Sequence, residues 1–139
     1  MKNNIKYILA LIYIFLFVAC NDSSYIINIY NKDLLDQKVE CLKLQIEPNS
    51  KEIYNSVQKL YSFSLAFDCR DSLKIRYKSD IVCNSPYSTN KTFHSFVDLS
   101  LAKDDKVYFS VYKDLKDNKN LQNEIDMIFK NYIAEHIDR

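Results

Sequence analysis

Not one of the 139 residues is glycine, and this absence restricts the available folds more than any motif the chain carries. Turns that need a left-handed backbone must be built from asparagine and aspartate, the only common substitutes that tolerate it. Loops that wrap phosphate rely on glycine for close backbone approach, so the P-loop and the dinucleotide-binding fingerprint are both excluded. The fold has to come from elements joined by polar, Asn- and Asp-bearing turns.

Hydrophobic periodicity supplies those elements. Tyr25 to Tyr30 and Val39 to Ile46 read as strands, the second because Leu42, Leu44 and Ile46 alternate with Lys43 and Gln45. The NKDLLDQK between them reads as a loop. A helix is predicted from the PNSKE segment to about Tyr61, with Asn49 as cap, Glu52 completing a capping box, and Ile53, Val57 and Leu60 on one face. The stretch FSLAFDCRDSLKIRYK folds back as a hairpin if Arg70 to Ser72 form its loop: Cys69 then faces Leu73, Phe67 faces Ile75, and Leu65 faces Tyr77.

Residues 79 to 92 form the longest irregular segment. A second hairpin follows, turning at Ala102 to Lys106. It pairs Leu101 with Val107, Leu99 with Phe109 and Val97 with Val111 on its apolar face, and Ser100 with Tyr108, Asp98 with Ser110 and Phe96 with Tyr112 on the other. From about Asn118, Leu121, Ile125, Ile128, Tyr132 and His136 mark a terminal amphipathic helix. The resulting order, β-β-α-β-β-β-β-α, predicts an α+β fold: a mainly antiparallel sheet of about six strands with two helices packed on one face.

The first twenty residues speak about location. Lys2 and Lys6 precede thirteen apolar or aromatic residues, Tyr7 to Ala19, a run shorter than the roughly 18 needed to cross a bilayer and proportioned like a secretory signal. It ends FVAC, with small residues before Cys20. This resembles the lipobox of bacterial lipoproteins, with Phe17 where that family most often has leucine. The resemblance implies a signal peptide over residues 1–19, cleavage before Cys20, palmitate-type acyl chains on that cysteine, a tether over 20–24, and one domain over 25–139. It places the protein on a cell membrane facing the periplasm or the exterior. Asn21, rather than aspartate, follows the cysteine, which by the family's sorting pattern favours the outer membrane in a Gram-negative envelope.

Without Lys2 and Lys6 the 19 basic side chains become 17, against 18 acidic ones. Such a balance lacks the basic excess that nucleic acid requires. Cys41, Cys69 and Cys83 are an odd number of thiols in a compartment that permits disulfides. One bond and one remaining thiol are expected, with Cys41–Cys83 favoured by the predicted topology, and no spacing suits a metal or a cofactor.

Catalytic patterns are absent from the sequence. His136 reads as a core residue of the terminal helix, and a Cys83–His94 thiol pair is the one enzyme-like juxtaposition. Phe96, Tyr108 and Tyr112 share the outward hairpin face beside Tyr87 of the long loop, and tyrosine-rich patches of this kind bind proteins. The expectation is a non-enzymatic envelope lipoprotein with a protein partner. The alternatives are a small-ligand-binding or envelope-assembly accessory lipoprotein, an envelope immunity protein, and a thiol or histidine enzyme.

Overall fold

A computed structural model of the chain describes residues 24–65, 68–79, 95–117 and 119–137. The fold is α+β. Its five strands are β1 (Ile26–Ile29), β2 (Leu42–Glu47), β3 (Asp71–Lys78), β4 (Ser95–Lys103) and β5 (Lys106–Leu115), arranged across one sheet as β1-β5-β4-β3-β2. Helix α1 (Lys32–Leu35) follows β1, and α2 (Lys51–Val57) lies between β2 and β3. The chain closes with α3 (Leu121–Ile128), a π-helical turn (Phe129–Ile133) and α4 (Ala134–Ile137).

The sheet is mixed, with five strands rather than about six. β2 and β3 run parallel, with Leu42 opposite Asp71 and Ile46 opposite Ile75, while every other pair is antiparallel. The predicted hairpin around Arg70–Ser72 does not form. Leu73 and Ile75 are flanked by Leu44 and Ile46 of β2 on one side and by Leu101 and Leu99 of β4 on the other, so β3 has no edge left to pair with the residues before it. Local hydrophobic matching favoured the hairpin, but a central parallel strand buries the same residues on both flanks. α2 provides the crossover that a parallel pair requires.

The segment expected to be a loop after β1 contains α1, capped by Asn31, whose side chain accepts a hydrogen bond from the Leu34 amide at 3.1 Å. α2 is capped by Ser50, which accepts from Ile53 N–H at 3.3 Å, rather than by Asn49, and it ends at Val57 instead of near Tyr61. In the terminal helix the buried residues are Ile125, Ile128, Phe129, Ile133 and Ile137, not Tyr132 and His136. The π turn, in which the Ala134 amide donates to the Phe129 carbonyl, takes in one extra residue and moves the apolar stripe along by one.

The β4–β5 hairpin turns tightly on Asp104 and Asp105, with φ of 50° and 64°, between paired Lys103 and Lys106. Two adjacent positive-φ residues define a type I′ turn, here made from aspartates in a chain without glycine. Leu101 therefore faces Phe109 and Leu99 faces Val111, two residues away from the expected pairing. Because the slip is even, each side chain before the bulge keeps its predicted face. A bulge beside Leu101/Ala102 leaves Tyr108 as the extra residue of β5.

One layer of core separates the sheet from its helices. Leu73, Ile75, Val97, Leu99, Leu101 and Val111 are at 0% exposure, in one cluster with Ile53 and Val57 of α2 and Ile125, Ile128, Phe129 and Ile133 of the terminal helix. The predicted placement of the main helices on a single face is what the structure has.

Candidate functional site

With the helices on one side, the other sheet face is read directly from the register. One row runs Arg76, Asp98, Tyr112, Ile26; the next runs Lys74, Ser100, Ser110, Asn28; a third runs Lys78, Phe96, Asp114. No described helix packs on this face. Its centre is floored by small hydroxyl side chains and its rim carries long ones. Asp98 is buried and is held by Arg76, whose Nε donates to Oδ2 at 3.0 Å. That bond and the adjacent carboxylate raise the Arg76 pKa.

Phe96 and Tyr112, diagonal neighbours across the strands, stack with ring centroids 5.6 Å apart. The Tyr112 hydroxyl donates to Asp114 Oδ1 at 2.6 Å. Burial, together with that bond and the nearby carboxylates, pushes its pKa up to about 12. Beside the stack, Tyr30, Arg76, Ser100, Val107 and Ser110 surround a hollow of about 160 Å³. Tyr30 and Val107 stand exposed at its lip.

The third predicted aromatic does not belong to this face. Tyr108 is 2% exposed and lies in the core cluster beside Phe109. A bulge turns two consecutive side chains to the same side of a strand, so Tyr108 follows Phe109 inward, and its carbonyl accepts hydrogen bonds from the Tyr30 and Asn31 amides. Burial, and secondarily the charge of Asp71, raises its phenol to about 12.

The disulfide joins Cys41 to Cys69, not to Cys83, with Cα atoms 5.8 Å apart. Parallel pairing explains the correction. β2 and β3 begin at the same end of the sheet, and the residues just before Leu42 and Asp71 are brought side by side, whereas the predicted hairpin sent Cys69 to the far end. Around this bond opens a cleft of about 550 Å³ lined by Gln37, Lys38, Glu40, Cys41, Asp68, Arg70, Asp71 and Lys103. Burial raises the Asp71 carboxyl, against the opposing pull of Lys103 and Arg70. Arg70 Nε donates to both Asp104 carboxylate oxygens at 2.9 and 3.1 Å, and this bond holds the Asp104 pKa below its usual value.

Cys20, Cys83, Tyr87 and His94 lie outside the described residues, as does the 79–92 loop beyond Ser79. His136 packs edge-on against Phe109, centroids 4.9 Å apart, with Nε2 3.3 Å from Glu135. Among the described residues no three potential metal ligands gather, and no helix is long and apolar enough to cross a membrane. Sequence reasoning missed Tyr30, Arg76, Asp98 and Val107 as neighbours. The alternation of exposed Arg76 with buried Ile75 and half-buried Tyr77 was the available signal, but partnering Arg76 with Asp98 required knowing which strands adjoin. No family model, curated protein or solved structure matches the chain.

Proposed function

We propose that the protein is a lipoprotein of the bacterial envelope, tethered through acyl chains on Cys20, that binds a protein partner with the sheet face on which no described helix packs and carries out no catalysis. The observation that carries this reading is the form of that face: a Phe96–Tyr112 stack beside a hollow of about 160 Å³. Cavities for small ligands span roughly 300–1,000 Å³ and are mainly apolar. A hollow half the lower size, floored by Ser100 and Ser110 and edged by Arg76, accommodates one side chain of a docking protein. Aromatic and arginine residues are also the side chains that dominate binding energy at such interfaces.

The tether belongs to the same proposal. Two or three acyl chains hold a protein on a bilayer where one does so only marginally, and Asn21 after the cysteine favours the outer membrane where the envelope has two. An immunity protein against a secreted toxin is one form the partner relationship can take. A second reading, a small-ligand-binding or assembly accessory lipoprotein, draws on the 550 Å³ cleft at the disulfide. Its lining sets Lys38, Arg70 and Lys103 against Glu40, Asp68 and Asp71, which suits a polar zwitterion better than an apolar molecule.

Affinity capture from envelope membranes with the intact acylated protein, compared with a Phe96→Ala, Tyr112→Ala double variant, tests the proposal. Specific partners recovered by the wild type and lost by a folded variant are expected. Identical recoveries would remove the Phe96–Tyr112 face from the interaction.

A further inference from the structure

We propose that one edge strand of the sheet, β1, lies against the bilayer, with Ile26, Ile27, Ile29 and Tyr30 seated at the lipid headgroup boundary. The inference rests on acylation of Cys20 and adds to it a fixed orientation of the domain.

The edge is unusual in chemistry. β1 ends the strand order, pairing with β5 alone among the described residues. Its side chains stand exposed on both faces: Ile26 at 50%, Ile27 at 47%, Ile29 at 56% and Tyr30 at 63%. Native sheets protect their edges with charges, proline or bulges. From Tyr25 to Asn31 this chain has neither a charge nor a proline, so the edge is suited to being covered.

The position of the anchor says by what. Ile26 is six residues beyond Cys20, a reach of about 20 Å even when fully extended. The point where the tether meets the domain is also fastened. The Tyr25 hydroxyl donates to Glu124 at 3.1 Å and accepts from Lys113 Nζ at 3.3 Å, Lys113 sits 4.4 Å over the Tyr25 ring, and the Tyr132 ring is 5.1 Å away. The chain thereby enters the domain through a fastened Tyr25 at the β1 edge, not at the β2 edge across the sheet. Anchoring has already confined the domain to the membrane, so the bilayer is present at high effective concentration and modest apolar contact suffices to orient it.

A second copy of the chain is a poorer match. The Tyr30 amide donates to Tyr108 at 2.9 Å, so by antiparallel alternation Asn28 and Ile26 also turn their backbone groups towards β5. Only Ile27 and Ile29 present amide and carbonyl groups outward, which gives an added strand little to bond. At the headgroup level those groups meet water and ester oxygens, and tyrosine is at home there. Deeper insertion would strip them of partners, which predicts a shallow seat.

Because the chain has no tryptophan, a single one reports its own surroundings. Intact acylated protein carrying Tyr30→Trp is reconstituted into phosphatidylcholine vesicles whose lipids are brominated near the headgroup or near the chain end. The same is done with Gln45→Trp on β2, at the opposite edge. For Tyr30→Trp the expected result is a blue shift and at least about twofold quenching by the shallow label, with less by the deep one, as for a group about 5–10 Å into the boundary. Gln45→Trp should be unaffected, and adding Ile29→Asp to Tyr30→Trp should reverse the blue shift. Equal, weak quenching at both positions while the protein still floats with vesicles overturns the orientation but leaves the anchor intact. Cross-linked dimers joined through β1 on the vesicles overturn it in favour of a second copy. Failure to float, with an unmodified Cys20 by mass spectrometry, removes the anchor and the inference together.

Discussion

Removing the Cys41–Cys69 bond by the double substitution Cys41→Ala, Cys69→Ala tests the parallel pairing on which the rest of the fold depends. The bond closes a segment with a sequence separation of 28, which holds β2, the α2 crossover and the approach to β3. In the chain-entropy treatment, a loop of that length costs the unfolded ensemble about 12 cal/mol/K, or about 3.5 kcal/mol at 25 °C. Loss of the buried Cys69 sulfur adds less than about 1 kcal/mol, as for other small deletions in a core. For the 115 residues of 25–139 the sum lowers the thermal midpoint by roughly 15–20 °C. Far-ultraviolet circular dichroism of the protein measures this. Reduced wild type keeps both sulfurs and should fall nearly as far as the variant, which should itself ignore reductant. A midpoint drop of only a few degrees on reduction, or a non-reducing peptide map linking Cys41 to Cys83, would refute the argument from shared strand ends.

Three other outcomes are expected. Replacing Asp105 with glycine relieves a φ of 64° and should stabilise the hairpin by about 0.5–1 kcal/mol in urea titration, less the small contribution of its exposed ion pair with Lys74; destabilisation would contradict the type I′ assignment. Leu99→Ala, at a fully buried position opposite both Ile75 and Val111, should cost about 2–5 kcal/mol by the same titration. Tyr108 and Tyr112 hold pKa values of about 12 in the fold against an ordinary 10.0, so the fold favours their protonated phenols. Their contribution is complete below about pH 10 and lost as pH rises towards 12; Tyr108→Phe should flatten the alkaline unfolding curve in that window, and an unchanged curve would remove Tyr108 from the transition.

Much of the architecture was legible because local pattern and tertiary burial agreed. The alternation in LKLQI, the spacing of Ile53 and Val57, and the stripe from Leu121 to Ile128 each expose the same face in isolation that the core covers. The β4–β5 hairpin was legible as a pair, and its register missed by two because Asp104 and Asp105 together accept a backbone normally given to glycine. The candidate site was legible only as a stack: Phe96 and Tyr112 meet because their strands adjoin, while Tyr108 was placed on the wrong side by a bulge that leaves no mark in the alternation.

What the amino-acid order determined by itself is the set of local elements and the apolar face each must hide. Only the tertiary structure decided which strands lie side by side. Leu65 to Tyr77 suits a hairpin on short-range grounds, and the parallel β2–β3 pair prevails because placing β3 in the middle of the sheet buries Leu73 and Ile75 completely, an advantage that depends on residues far away in the chain. The Cys41–Cys69 bond and the Arg76–Asp98 pair both follow from the position of β3 between β2 and β4, since each rests on neighbours that strand order alone creates.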